Sequence, residues 1–406
     1  MRVSTNQTQD VAINAMLEQQ EKLSKVQKQI ATGKRIFKPS EDPIGAARVV
    51  DLRNILQTNG QYQKNIDAAR ARLTVEESIM GNATGILQRV RELAIAANNA
   101  SQTNETRNFI AEEVDQLLEE ILDMANSTDG SGDYLFAGSK INFRPFVNNA
   151  NGEYEYQGDD TQRSLQIGPK RTIATSDSGN FVFRSIKDGN TEFTALENKT
   201  NTGSAIIDPG SVTGRYDGGT YAIIFDKQES IDPNEPTTYK VMNANNEEVI
   251  PAGTVFVEGA NIEFNGVRVF VEGEPNAKDF FVIRPSENQD VFTTLKNFVD
   301  TLRIPRGDPK QNADLHNEIN RTILGIDNSL GRVLEIRSNT GARLKALDAQ
   351  ESINIDYNLQ IKEILSGIED LDYAKAVSEL NLKLTGLQAS QKAFTRVQGI
   401  SMFDYI

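Results

Sequence analysis

Residue types that carry much of protein chemistry are missing or nearly missing from this chain. Its 406 residues include no Cys, no Trp and one His, His316. Without Cys the chain can form neither a disulfide nor a Cys-based metal site. Chemistry based on histidine would rest on His316 alone. That residue begins a predicted helix one turn before Asn320, which favours a structural role.

Long apolar runs are also missing. No segment approaches the ~18 apolar residues that a membrane-spanning helix needs, so we expect no membrane insertion. The segment Met1–Leu17 lacks the apolar core of a Sec-type signal peptide, so we expect no cleaved signal peptide.

The chain is net acidic and has no basic stripe that could bind a polyanion. Its formal net charge is −14, and residues 146–284 alone carry 12 Lys/Arg against 21 Asp/Glu. Binding to nucleic acid requires Lys and Arg to neutralise phosphates, so we expect no nucleic acid partner. The acidic middle of the chain is most simply a solvated surface.

Proline is absent from residues 44–144 and from all residues after Pro309. Both spans can therefore form long helices, because an interior proline costs about 3 kcal/mol. Within them, apolar residues recur at alternating steps of three and four, a pattern typical of a coiled coil. The clearest run is Leu52, Ile55, Asn59, Tyr62, Ile66, Ala69, Leu73, Glu76, Met80, Ala83, Leu87, Val90, Ala94 and Ala97.

Asn59 and Glu76 interrupt this seam. They either fix the register between helices or reach solvent at the edge of a bundle, and the sequence leaves both alternatives open.

The two terminal segments are predicted helices whose apolar stripes favour contact with other subunits over an ordinary core. The first helix spans about residues 8–31 and is rich in Gln, so packing against a partner should decide whether it forms. The predicted assembly residues are Met16, Leu23, Ile30, Val377, Leu380, Leu384, Leu387, Phe394 and Phe403.

A short connector links the first helix to the second. Gly33 is predicted to be a left-handed helix stop, and Asp42-Pro43 is predicted to be the N-cap and first residue of the next helix. Pro39 and Pro43 should stiffen the connector because each also restricts the residue before it. The predicted connector residues are therefore Gly33, Pro39, Asp42 and Pro43.

The middle of the chain has a different pattern. Short segments rich in Val, Ile, Phe and Tyr lie between Gly, Pro, Asn and Asp, which predicts strands and turns. The predicted strands are Tyr154–Gln157, Ser164–Ile167, Tyr221–Phe225, Thr254–Val257 and Val267–Val271. The helical pattern resumes near Asp290, with breaks at Ile304–Asn312 and near Gly367.

Three short motifs suggest chemistry but lack what that chemistry needs. Thr32-Gly33-Lys34 has Lys28 where a phosphate-binding loop requires Gly. The turn that begins at Asp129 has Lys140 where a calcium loop requires Glu. Gly158-Asp159-Asp160 has no further support as a magnesium site. We therefore predict no catalytic, cofactor-binding or metal-binding residue, and no enzyme.

Several motifs resemble the flagellin-like family of bacterial axial proteins. Ile368–Ala374 looks like the segment that opens the final helix of flagellins. Gln29–Ile36 with Pro39–Pro43, Tyr134–Gly138 and the ending Ser401–Ile406 are closer to the hook–filament junction members, the hook-associated proteins of type 3. Flagellins typically have Leu-Ser-Ser-Gly and no proline in the connector. The resemblance covers about residues 1–185 and 286–406.

This resemblance implies a mainly α fold with an inserted β-rich part. Terminal coiled-coil helices (1–43 and 366–406) would pair in an inner domain. Residues 44–185 and 286–365 would form a helical bundle with a β-hairpin region, and 186–285 a β-rich outer domain.

The resemblance also implies a structural protein that self-assembles as a junction layer outside the cell. Its neighbours would be hook-associated protein 1 and flagellin. A cytoplasmic chaperone would hold its C-terminal helix before export through the flagellar type III apparatus. The alternatives are a flagellin filament subunit, or a coiled-coil surface adhesin that binds through its middle domain.

Overall fold

The computed structural model describes residues 5–149, 152–226 and 236–399, and this part holds six α-helices. They are α1 (Thr5–Thr32), α2 (Pro43–Ala97), α3 (Asn104–Ala125), α4 (Val291–Arg303), α5 (Pro309–Glu369) and α6 (Tyr373–Gly399). The two spans without proline hold the longest helices, α2 with 55 residues and α5 with 61. A mainly α fold with an inserted β-rich part is therefore confirmed.

The chain divides into two compact units, residues 1–64 with 349–406, and residues 65–348. The three-part division predicted from the sequence stays a prediction. In the first unit, α1 and α6 pack against each other in opposite directions, since Gly33 meets Leu371 and Gln19 meets Lys383. The first part of α2 packs against the last part of α5, where Leu52 and Ile361 are buried.

The second unit contains a helical bundle formed by α3, α4 and the adjoining parts of α2 and α5. Its hydrophobic core includes Met80, Val114, Phe298 and Ile326, all fully buried. An aromatic group extends this core, and Phe146 lies 5.0 Å from Phe292 between ring centroids. Two hairpins also belong to this unit: β1 (Phe146–Asn148) with β2 (Tyr154–Tyr156), and β3 (Ser164–Gly168) with β4 (Arg171–Ala174).

The remaining strands follow a narrow connection. β5 (Ile186–Lys187) pairs with β15 (Asn288–Gln289). The part of the sequence between β5 and β15 forms a five-stranded sheet. Its strand order is β11 (Glu248–Val255), β10 (Thr238–Asn243), β9 (Tyr221–Asp226), β14 (Phe280–Pro285) and β6 (Phe193–Glu197). A smaller sheet contains β7 (Ile206–Ile207), β8 (Ser211–Val212), β12 (Asn261–Phe264) and β13 (Val267–Glu272). We call residues 193–226 and 236–285 the β module.

The β module has its own hydrophobic core. Alternate residues of β9 and β13 face inward, including Tyr221, Ile223, Phe225, Val267 and Val269. This alternation is what one buried sheet face requires. The strands predicted at Tyr221–Phe225 and Val267–Val271 are confirmed.

The strand predicted at Thr254–Val257 is wrong in its position. The observed strand is Glu248–Val255, and it contains Pro251 and Gly253. These residues disfavour a central strand but are tolerated at a sheet edge. β11 is an edge strand, so tertiary position explains the error.

Candidate functional site

The α1–α6 pair leaves its apolar seam only partly covered. Leu23 and Val26 of α1 and Ala376 of α6 are buried. Among the other predicted assembly residues on these helices, Val377 is 45% exposed. The rest are half-buried, namely Met16, Ile30, Leu380, Leu384, Leu387 and Phe394. Phe403 lies outside the described residues. The pair therefore retains apolar surface that its own contacts do not cover.

Further apolar side chains on the same two helices point to solvent. Val11 is 65% exposed and Leu382 is 70% exposed, and Ile13 and Leu17 are exposed as well. Exposed apolar side chains on two adjacent helices are available for contact with other molecules.

The ends of α1 and α5 meet at a short backbone bridge. Gly33 has φ +70°, and its N–H closes the last turn of α1 on Gln29 O at 2.8 Å, so the predicted left-handed stop is confirmed. Arg35 N donates to Glu369 O at 2.7 Å and Leu371 N donates to Gly33 O at 2.9 Å. The chain segments that follow α1 and α5 are therefore held side by side in antiparallel fashion.

Glu369 adds a side-chain anchor to this bridge. Its buried carboxylate accepts two hydrogen bonds from Arg53 Nη2, at 2.6 and 2.8 Å, and forms an ion pair with Lys34. Burial alone would raise the pKa of Glu369, but the hydrogen bonds and charges of Lys34 and Arg53 outweigh it and lower that pKa. We call Lys34, Arg53 and Glu369 the clasp. It joins the connector, α2 and α5.

The connector is further held by carboxylates. Glu41 accepts a hydrogen bond from Phe37 N at 3.0 Å, the main reason its pKa is lowered. Asp42 Oδ1 accepts from Gly45 N at 2.9 Å, and Pro43 is the first residue of α2, which confirms the predicted N-cap. Pro39 is exposed within the connector.

The clasp residues Lys34, Arg53 and Glu369, and Glu41 of the connector, were not predicted from the sequence. A local signal existed for Glu369, because it lies inside the Ile368–Ala374 motif. No local signal could identify Arg53, which is 316 positions away from Glu369.

The two polar seam residues are both buried, which excludes the solvent-reaching alternative. Asn59 Nδ2 donates to Asn354 O at 3.2 Å and to Asn358 Oδ1 at 3.0 Å. These bonds match one level of α2 to one level of α5, as a register residue would.

Glu76 is 1% exposed and accepts a hydrogen bond from Asp177 N at 3.3 Å. Burial, together with the nearby charge of Asp177, raises the pKa of Glu76 to about 8, despite the opposing charges of Arg343 and Arg72. Arg343 donates to both carboxylate oxygens of Asp177 at 2.9 Å. This raised pKa favours the protonated form of Glu76 in the folded protein at neutral pH.

The motifs that suggested chemistry are structural turns. Asp129 pairs with Arg72 at 2.6 Å and accepts hydrogen bonds from Ser131 N and Asp133 N. Asp159 is hydrogen-bonded to Ser139 and Thr161. His316 is hydrogen-bonded to the side chain of Asn98, and burial lowers the pKa of His316.

Neither a metal centre nor a membrane span is found in the described part of the chain. That part has no group of three or more His, Asp or Glu residues able to hold a metal ion. Its helices include none long and apolar enough to cross a membrane.

Comparison with known proteins identifies the family. The bacterial flagellin N-terminal helical region matches residues 3–141. Flagellar hook-associated protein 3 of Salmonella typhimurium is 24% identical over 405 residues, covering 100% of this chain and 99% of that protein.

Solved structures agree. Flagellar hook-associated protein-3 from Legionella pneumophila has a TM-score of 0.74 at 33% identity, over 78% of this chain and 98% of that one. FlgL from Xanthomonas campestris has a TM-score of 0.72 at 30% identity, over 78% and 99%. A flagellin from Clostridium tyrobutyricum matches only 29% of this chain. The chain therefore belongs to the flagellar hook-associated protein 3 family, whose members are structural proteins of the flagellar junction.

Proposed function

We propose that this protein assembles with copies of itself into a junction layer through the exposed apolar surface of α1 and α6. Hook-associated protein 1 would be its neighbour on one side and flagellin on the other. The clasp and connector would hold the end of α1 to α2 and α5 within the first unit. The role is mechanical and involves no catalysis.

Exposed apolar side chains of α1 and α6, outside the seam that joins the two helices, carry this proposal. Val11, Leu17 and Leu382 expose most of their apolar surface, and covering such surface yields about 25 cal/mol per Å². A helix as polar as α1 gains little stability alone. Contact with further subunits would therefore stabilise the terminal helices, and the same contacts would connect the subunits of the layer.

The clasp suits a part that transmits mechanical load. It uses charge-assisted hydrogen bonds between segments far apart in sequence, and these are shorter and stronger than neutral hydrogen bonds. A load applied to α1 would pass through Gly33 and Lys34 to Glu369 and Arg53. It would thus reach α2 and α5 together.

We further propose the route by which the protein reaches the flagellum. It would leave the cell through the flagellar type III apparatus without a cleaved signal peptide, with a cytoplasmic chaperone covering the C-terminal helix until export. Support comes from apolar side chains of α6 such as Val377, which is exposed, and Leu380, which is half-buried, because they need a cover before assembly. The three-part division, with 186–285 as an outer domain, belongs to the same proposal.

Paired surface substitutions test the assembly surface in a strain that lacks the native gene. Val11→Ser with Leu382→Ser removes exposed side chains from α1 and α6. Val257→Ser, at a β-module residue that is 61% exposed, is the matched control. Secreted protein and the number of subunits per flagellum would both be measured.

We expect the Val11/Leu382 variant to be secreted normally but to appear unassembled in the medium, with few filaments. The Val257 variant should assemble at a few subunits per flagellum, which separates a junction layer from a filament. Normal filaments in the double variant at equal secretion would refute the assembly surface.

A further inference from the structure

One face of α5 carries a row of polar side chains that bind the β module and its connection. Asn317, Arg321, Asn328 and Arg332 are spaced by four, seven and four residues, which places them on one side of the helix. Ile207 N donates to Asn317 Oδ1 at 3.0 Å, and Arg321 forms an ion pair with Glu197.

The next two residues of the row bind the connection to the module. Asn328 Nδ2 donates to Lys187 O at 2.8 Å and to Gly189 O at 2.9 Å, and Arg332 Nη2 donates to Ser185 O at 3.0 Å. We call residues 185–189 and 286–289 the neck. α5 thus holds the neck and the base of the module through hydrogen bonds and charge.

The neck itself is narrow. Its two strands β5 and β15 pair over two residues each. Asp188 fastens it, accepting from Glu287 N at 2.8 Å and pairing with Arg284 at 2.7 Å. Two chain segments of a few residues are the only covalent link between the module and the helices.

The hydrophobic cores on the two sides of the neck are separate. Among the described residues, the module core and the bundle core share no member. A cleft of about 690 Å³ also lies between them, lined by charged residues of both sides such as Arg284, Asp300 and Glu318. Space of this size and polarity holds water rather than packed side chains.

We propose that the β module docks on α5 through this polar row and leaves it as an intact body that turns at the neck. Polar contacts can be replaced by hydrogen bonds to water, whereas the contacts of an apolar core cannot. A small polar contact between domains therefore permits relative motion. The Arg321–Glu197 ion pair is largely buried, so salt screens it less than a surface pair.

The absence of Cys allows a direct test on the full chain. Glu120→Cys on α3 and Val257→Cys on the module, both exposed, would be the only sites for nitroxide labels, and pulsed electron resonance would give their distance distribution. Arg321→Met with Asn328→Ala weakens the row. Arg303→Met is the matched control, because Arg303 pairs with Glu112 and Asp115 inside the bundle.

We expect one narrow distribution for the parent, and a broad one with an added population for the Arg321/Asn328 variant. Raising NaCl from about 0.1 M to about 1 M should broaden the parent's distribution only slightly, because the Arg321–Glu197 ion pair is largely buried and weakly screened. The Arg303 variant should resemble the parent.

Hydrogen exchange at the amides of Ile223 and Phe281 reports whether the module stays folded. We expect their protection to be unchanged in the Arg321/Asn328 variant. An unchanged distance distribution would overturn the proposal because the module would be rigidly fixed. Loss of protection at these amides would overturn it as well, since the module would then not be an independent body.

Discussion

Arg53 on α2 donates two hydrogen bonds from one nitrogen, Nη2, to the carboxylate of Glu369 at the last residue of α5. Lys34 contacts the same carboxylate from the connector. One buried acidic side chain thus ties together three chain segments that lie far apart in the sequence.

Removing this charge should loosen the connector without unfolding the protein. We expect Glu369→Gln to lower the free energy of unfolding by about 1 kcal/mol, since Lys34 and Arg53 are themselves about half exposed and their attraction is partly screened. Because the pKa of Glu369 is lowered by folding, its contribution is present at neutral pH and is lost as pH falls through the folded pKa. Urea unfolding at several pH values measures both effects.

Glu363→Gln, at an exposed position of the same helix, is the control and should leave stability unchanged. An equal loss in both variants, or no loss in Glu369→Gln, would contradict the role of the clasp.

Glu76 should make stability fall with rising pH. Its folded pKa of about 8 lies above the unfolded value of 4.5, so folding takes up a proton between these values. The stability it contributes is complete below pH 4.5 and is lost as pH rises to about 8. Glu76→Gln, which imitates the protonated acid, should gain about 2–3 kcal/mol relative to the parent between pH 6 and 9.

Unfolding curves across this pH range measure that gain. Glu77→Gln removes the adjacent carboxylate, which pairs with Arg337. This variant should leave the pH dependence of the free energy of unfolding as it is in the parent. A parent and a Glu76→Gln variant whose stabilities keep a constant difference from pH 6 to 9 would show that Glu76 is ionised throughout.

Gly33→Ala should destabilise the first unit. The left-handed conformation costs a residue with a Cβ about 1–2 kcal/mol, and that Cβ would lie 2.9 Å from Tyr373 Oη. Gly341→Ala tests the opposite case, since Gly341 lies inside α5 with open space around it, and alanine there should stabilise by about 0.5–1 kcal/mol. Thermal unfolding distinguishes the two signs, and stabilisation by both substitutions would be inconsistent with a strained Gly33.

Pro39→Ala with Pro43→Ala should affect the joint more than the fold. Neither proline supports a hydrophobic core, so we expect a loss of about 0.5–1 kcal/mol from a freer unfolded chain. The variant should be secreted normally but should shed filaments under shear. Pro305→Ala, at an exposed proline between α4 and α5, is the control. Shear resistance equal to the parent at equal secretion would indicate that the clasp alone sets the joint.

Local patterns in the sequence specify the helices and the faces that they bury. The spacing of apolar residues and the absence of proline predict α2 and α5, because helical periodicity is a local property. Gly33 and Asp42-Pro43 likewise mark helix ends through their own backbone preferences. The motifs near both termini are local as well, and they are specific enough to indicate the family.

Which polar groups meet, and where the strands begin and end, depends on tertiary contacts. Periodicity placed Glu76 on the seam but could not tell a buried carboxyl from a solvated one, because that depends on the loop containing Asp177. It could not select Glu369 among 57 acidic residues as the partner of Arg53. β11 accepts Pro251 because it lies at a sheet edge, and position within a sheet is set by strands distant in sequence. Electrostatic and strand pairings are long-range, so their partners are fixed only when the chain has folded.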